Sequence, residues 1–199
     1  MSIAPQKKHK DRNLFDKYLT PYSLTSQLLE NITLDKNSTI LEPCSSVESC
    51  IVKVLKDNGY NPTENIYIPD DPSTDFFNFN TSIKYDYIIT NTPYGKCIVP
   101  FVKQMKKIAT KQIICLYPMS TLHSTGRYNE IWTDKDYGLK KILMFSRPPW
   151  LEDKVQENGK YKTGINAYGW FIWENGYDGE TIIKLIDNSS YVNRKRDLI

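Results

Sequence analysis

Asn91, Thr92, Pro93 and Tyr94, followed by Gly95, put an amide, a restrained backbone and an aromatic ring within four consecutive positions. The Asn91 side chain offers an oxygen that accepts hydrogen bonds, Pro93 fixes the main chain, and Tyr94 presents a flat face. Such a set suits gripping a planar group that carries an exocyclic amine. Read as structure alone, the same residues make a turn that ends a strand, because Asn and Pro are common loop punctuation.

For these side chains to act, they must stand at the edge of a sheet. Residues 85–90 (YDYIIT) form a short apolar run that reads as a buried strand. Such a strand delivers position 91 to the carboxyl edge, where open α/β folds keep their ligand sites. The flanking pattern alternates. Helices are expected over residues 23–31, with Leu24, Leu28 and Leu29 on one face, and over 47–58, with Val47, Ile51, Val54 and Leu55 in helical spacing and Gly59 as the stop. A third is expected over 99–109. Strands are expected at 39–41, 66–68, 112–117, 139–145 and 167–173, and a helix or strand at 182–186. This alternation predicts a mostly parallel sheet with helices on both faces and room for an antiparallel strand near the end. No composition break divides the chain. We expect a flexible basic arm (1–16), one domain (17–190) and a basic tail (191–199), the two ends carrying charge that either touches phosphates or is simply solvated.

Asn91-Thr92-Pro93-Tyr94 resembles the Asn-Pro-Pro-Tyr motif of amino-methyltransferases, chiefly the DNA adenine-N6 enzymes, with Thr92 in place of the first proline. The resemblance implies a single-domain, Rossmann-like, S-adenosylmethionine-dependent methyltransferase fold. It also implies catalytic roles for Asn91, Thr92, Pro93 and Tyr94. The Asn91 side chain and the Thr92 carbonyl would accept hydrogen bonds from the target NH2, and Tyr94 would stack on a base extruded from its helix.

Other segments resemble the same family in the same order, from residue 17 to residue 177. Glu42-Pro43-Cys44-Ser45-Ser46-Val47-Glu48 stands where the family carries an acidic-Pro-x-x-Gly-x-Gly loop for S-adenosylmethionine. Glu42 and Pro43 match, whereas Ser46 and Glu48 occupy the glycine positions, where a missing Cβ lets the backbone approach the cofactor. Glu48 brings a bulky anion toward the methionine end of that site. Tyr18 and Thr20, in Lys17-Tyr18-Leu19-Thr20-Pro21, resemble a segment that closes over the methionine moiety; Thr20-Pro21 alone reads as a helix start. The resemblance sets Asn65, with Glu64 beside it, at the ribose hydroxyls. It sets Asp75 and Phe76 at the adenine, although Asp75 alone reads equally as a turn or helix cap. Residues 145–150 and 167–177 resemble late strands of phage-type DNA methyltransferases, with Arg147 and Trp150 either lining a base or phosphate channel or packing a loop.

The implied activity is methyl transfer from S-adenosylmethionine to the N6 amine of adenine in DNA, with no metal. Three alternatives stay open. The same motif occurs in RNA adenine and protein glutamine methyltransferases, because glutamine also presents an amide NH2. The glycine-free loop suits an inactive methyltransferase-fold protein that acts as a nucleic-acid-binding or structural subunit. A generic nucleotide-binding α/β protein would need a phosphate loop, and no such loop is found. A chain this short has little room for a separate target-recognition domain, so selectivity would fall to loops such as 121–136.

Bulk properties narrow the class. At 199 residues, 40% hydrophobic and 25% charged, the chain has the composition of a soluble globular domain. The 13% aromatic share and net charge of +3 permit a nucleic-acid partner without requiring one. Four cysteines at 44, 50, 97 and 115 and two histidines form neither a disulfide framework nor a zinc site. The first twelve residues lack the apolar core of a signal peptide, and no run approaches the ~18 apolar residues of a spanning helix. A cytoplasmic protein is expected, in the host cytoplasm if viral. His9 and His123 lie in polar stretches, so no Ser-His-Asp arrangement is supported.

Overall fold

In the computed structural model, the described residues are 20–46, 50–147, 149, 151 and 164–189. Tyr18, Glu48, Trp150, the basic arm and the basic tail fall outside them.

Helix α1 (Tyr22–Asn31) follows Pro21, whose carbonyl accepts the Leu24 N–H at 3.1 Å, and it buries Leu24 and Leu28. Strand β1 (Ile40–Ser45) is buried along nearly its whole length. Helix α2 (Cys50–Asp57) turns Ile51, Val52, Val54 and Leu55 inward. It stops at Gly59, whose φ of +80° suits a residue without Cβ, as the Gly59 and Tyr60 N–H groups close onto the Lys56 and Leu55 carbonyls. Strand β2 (Thr63–Ile66) comes next, then two single 3-10 turns, each capped by an aspartate side chain (Asp71 and Asp75). Strand β3 (Tyr85–Thr90) has the expected bounds. Helix α3 (Ile98–Lys106) and strands β4 (Ala109–Pro118), β5 (Tyr137–Phe145), β6 (Tyr168–Asn175) and β7 (Ile182–Ile186) complete the order.

Two expectations shift and one open choice is decided. The second strand ends at Ile66, not Ile68, because the Thr74 hydroxyl takes the Ile68 N–H at 2.9 Å and Asp71 N–H takes the Ile68 carbonyl, turning the chain away from the sheet. The third helix stops before Ala109, where the sheet claims the backbone: Tyr85 N–H bonds the Ile108 carbonyl and Tyr85 pairs with Ala109. The last segment is a strand, parallel to β5.

The seven strands lie in the order β2-β1-β3-β4-β6-β5-β7, and β6 alone runs against the rest. Alternate side chains feed two cores. On one face α1 and α2 cover Ile40, Ile89, Ile114, Leu116 and Trp170; on the other, α3 and the 128–132 turn cover Ile88, Ile113, Tyr117, Phe171 and Trp173. Neighbouring tryptophans of β6 pin each layer to the sheet. Trp170 Nε1 donates to the Leu24 carbonyl at 2.9 Å, and Trp173 Nε1 donates to the Ile131 carbonyl at 3.1 Å. Buried indoles need such acceptors.

The topology also locates a crevice. From β1 the chain moves outward through α2 to β2, then crosses back to lay β3 on the other side of β1. Ligands in open α/β sheets bind at this reversal, beyond the carboxyl ends of the two strands. Those ends are Glu42–Ser46 and Thr90–Tyr94.

Candidate active site

The β3 side of the crevice is a chain of hydrogen bonds. Asn91 Nδ2 donates to Thr20 Oγ1 at 3.0 Å, which turns the amide so that Oδ1 faces the other way. That oxygen accepts the Tyr94 hydroxyl at 2.8 Å. Thr20 is buried just before α1, so the helix start serves as the anchor of the amide. The Tyr94 ring reaches both cores at the sheet edge, 6.1 Å from the Tyr117 ring and 6.2 Å from that of Tyr168. After it Gly95 adopts φ +73°, which lets the backbone swing into α3. Between Asn91 and Tyr94, Thr92 is buried and its hydroxyl meets that of Tyr117.

The β1 side is dominated by Glu42. Its side chain is fully enclosed, and Oε1 accepts the Cys44 N–H at 2.9 Å. Burial pushes its carboxyl up from 4.5 to about 8, against the opposing effect of the Thr90 hydroxyl and the Cys44 N–H and with help from the charge of Glu64. Among the described residues no lysine or arginine forms an ion pair with it. Glu42 is therefore a buried acid without a cation among the described residues, at the place where the topology puts a ligand. Burial likewise holds the Cys44 and Cys115 thiols protonated, which makes them poor nucleophiles.

Further around the rim, Asn65 acts as a brace. Its Nδ2 donates to the Pro43 carbonyl at 3.1 Å and to the Thr74 carbonyl at 3.0 Å, joining the β1 end to the 72–78 segment and leaving Oδ1 as the acceptor of that amide. Asp75 caps the turn beside it by accepting the Phe77 N–H at 2.9 Å. Ser45 Oγ donates to Glu64 at 3.0 Å, and Ser46 is half-buried at the end of the strand. Phe76 belongs to the core, its ring stacked on Phe101 at 5.7 Å; the exposed ring of that segment is Phe77.

The structure thus brings Thr20, Asn91, Thr92 and Tyr94 together on one side, and Glu42, Pro43, Ser46, Asn65 and Asp75 on the other. Arg147 closes a turn with Asn188, which accepts its N–H and donates to its carbonyl. Tyr117 and Tyr168, which frame Tyr94, carry no motif. Tyr117 is legible only as the end of β4, level with the 91–94 block once the register is known. Among the described residues no group of His, Cys, Asp and Glu is arranged to hold a metal ion, and no helix is long and apolar enough to cross a membrane.

No protein-family model matches the sequence, and no curated protein matches it. Solved structures do match the fold. A modification subunit of a type I restriction enzyme from Vibrio vulnificus YJ016 superposes with a TM-score of 0.51 at 16% identity, over 85% of this chain and 47% of that one. The M protein of the type I restriction enzyme EcoKI superposes at 0.53 and 13%, over 86% and 48%. A predicted O-methyltransferase from Agrobacterium tumefaciens superposes at 0.50 and 9%, over 88% and 92%. The chain spans about half the length of the two restriction-enzyme subunits. What it shares with all three is architecture: a mixed α/β, Rossmann-like fold of the S-adenosylmethionine-dependent methyltransferase type.

Proposed function

We propose that this chain transfers a methyl group from S-adenosylmethionine to the N6 amine of adenine in DNA. The observation that carries the reading is the oriented amide: just past the carboxyl end of β3, Asn91 donates its Nδ2 to Thr20 and accepts the Tyr94 hydroxyl on Oδ1. A target amine takes over the position of that hydroxyl, exchanging one hydrogen bond for another at little net cost. The Thr92 carbonyl is the second acceptor. Together the two acceptors draw the amine nitrogen toward tetrahedral geometry and localise its lone pair. Tyr94, released from Asn91, stacks on the base, an interaction worth about 1–3 kcal/mol.

The residues present fit the cofactor's charge. Among the described residues Glu42 has no ion-pair partner, and a bound sulfonium or ammonium group supplies one. Thr20, Glu42, Pro43, Ser46, Asn65 and Asp75 are the residues we assign to holding S-adenosylmethionine, with Tyr18 from the same resemblance. When bound, it supplies an already activated methyl group. The chain's own contribution is alignment of the nitrogen, which needs no metal. DNA is favoured as substrate because two structures of the same fold are restriction-enzyme modification subunits.

Ser46 and Glu48 at the glycine positions favour a second reading, a methyltransferase-fold subunit that binds nucleic acid without catalysis. Calorimetric titration with S-adenosylmethionine, with and without an adenine-containing duplex, separates the two. Micromolar cofactor binding followed by label transfer to the duplex supports the enzyme. Duplex binding without cofactor heat overturns it in favour of the subunit, and transfer only to RNA or to glutamine moves the substrate assignment.

A further inference from the structure

Thr92 is only 1% exposed, and a hydroxyl removed from water needs a partner. Its Oγ1 lies 2.9 Å from the hydroxyl of Tyr117, itself wholly buried, and 3.2 Å from the Pro93 carbonyl oxygen. One arrangement gives each hydrogen an acceptor: Tyr117 donates to Thr92, and Thr92 donates to Pro93. Burial keeps the Tyr117 phenol protonated and so able to donate. The sheet brings the pair together. Thr90 is the last β3 residue paired with β4, opposite Cys115, so Tyr117 stands level with Thr92, two residues past the end of the ladder.

Tyr117 touches the block a second time, its ring meeting that of Tyr94 edge-on at 6.1 Å and 69°. Behind it, Phe171 at 5.7 Å and Trp173 at 6.3 Å hold the phenol from β6. One rigid side chain therefore grips the 91–94 block on both sides of Pro93. We infer that the Thr92–Tyr117 hydroxyl pair is the restraint that presents Asn91 and Tyr94 to substrate, which makes Tyr117 a positioning residue. It does for the backbone what a proline at position 92 would do through its ring. Its effect on catalysis rests on the proposed methyl transfer; its effect on the loop does not.

Four variants test this: Tyr117→Phe and Thr92→Val, each removing one hydroxyl, the two combined, and Thr92→Pro in the Tyr117→Phe background. Amide exchange in residues 91–97 should rise roughly tenfold in either single variant, stay unchanged across β3, and return toward wild type with the proline. Under single turnover, methyl transfer should fall about tenfold in each single variant and no further when both hydroxyls are removed, with cofactor Kd unchanged. Unaltered exchange at 91–97 overturns the proposal whether or not the protein methylates anything. So do multiplicative losses in the double variant. Raised exchange in the single variants, beside a wild-type protein that transfers no methyl group, sustains the tether and removes the functional reading instead.

Discussion

Replacing Glu42 by glutamine should stabilise the protein at alkaline pH and leave it almost unchanged in acid. Glutamine keeps the shape of the side chain and an oxygen for the Cys44 N–H, but it does not titrate. In the folded chain the Glu42 carboxyl is pushed from 4.5 to about 8 by burial. The native state therefore holds a proton that the unfolded state releases across that interval. Stability from this group is fully present below about pH 4.5 and is lost as pH rises toward 8. Each unit of difference corresponds to about 1.4 kcal/mol, so the penalty is below about 1 kcal/mol at pH 5 and about 4–5 kcal/mol at pH 8.5. Urea unfolding of both proteins at pH 5, 7 and 8.5 reads the difference directly, with contributions of other groups common to both. A gap that widens by several kcal/mol in favour of Glu42→Gln agrees with this derivation. A constant gap, or a variant weaker at every pH, refutes it and means that Glu42 is hydrated or paired.

Asn91→Ala should lower methyl transfer by about 10²–10³-fold with little change in cofactor Kd, because it deletes an acceptor that acts on the reacting nitrogen; single-turnover label transfer checks it. Tyr94→Phe keeps the stacking ring and frees Asn91 Oδ1 from its internal donor, so the apparent affinity for an adenine duplex should rise about two- to tenfold, measured by fluorescence anisotropy. Trp170→Phe leaves the Leu24 carbonyl without its indole donor and opens space between β6 and α1. It should cost about 2–4 kcal/mol in urea unfolding, with no shift in the Asn91-dependent step.

How legible the molecule was in its sequence depended on where the determining contacts lie. Strand β3 and the Gly59 stop were readable because apolar runs and helix ends are written locally. The Ile66–Ile68 strand misled because Ile68 belongs to a turn closed by Thr74, six residues away. Residues 99–109 looked helical throughout, yet Ala109 answers to Tyr85 across the sheet. At the site, Asn91 and Tyr94 stood out by type and spacing. Thr20 stood out too, but toward the cofactor; that it anchors Asn91 did not show, since it lies 71 positions away, and Tyr117, 25 positions from Thr92, carried no signal. Asp75 was open between ligand and cap; the cap is observed. The resemblance gave Asn65 a ligand role; that its amide hydrogens also brace two loops is something no local pattern announces.

The choice between an enzyme and a retired scaffold turns on the same carboxyl. A protein kept only for its surface gains nothing from an acid buried with no cation among the described residues, and the upward shift of its carboxyl should weaken the fold as pH rises toward 8. Groups that oppose stability persist where a ligand needs them, and their removal characteristically trades function for stability. Glu42→Gln therefore carries a second readout. In an S-adenosylmethionine-binding protein, cation binding beside Glu42 draws its proton off, so wild-type binding releases a proton near pH 7 and tightens as pH rises. The variant should bind at least tenfold more weakly and release none, as calorimetry in buffers of different ionisation enthalpy would register. A variant that is more stable, yet binds the cofactor as tightly as wild type with the same proton release, would remove Glu42 from the cofactor site. A variant that is more stable, beside a wild-type protein that binds no cofactor, would leave the scaffold reading in possession of the fold.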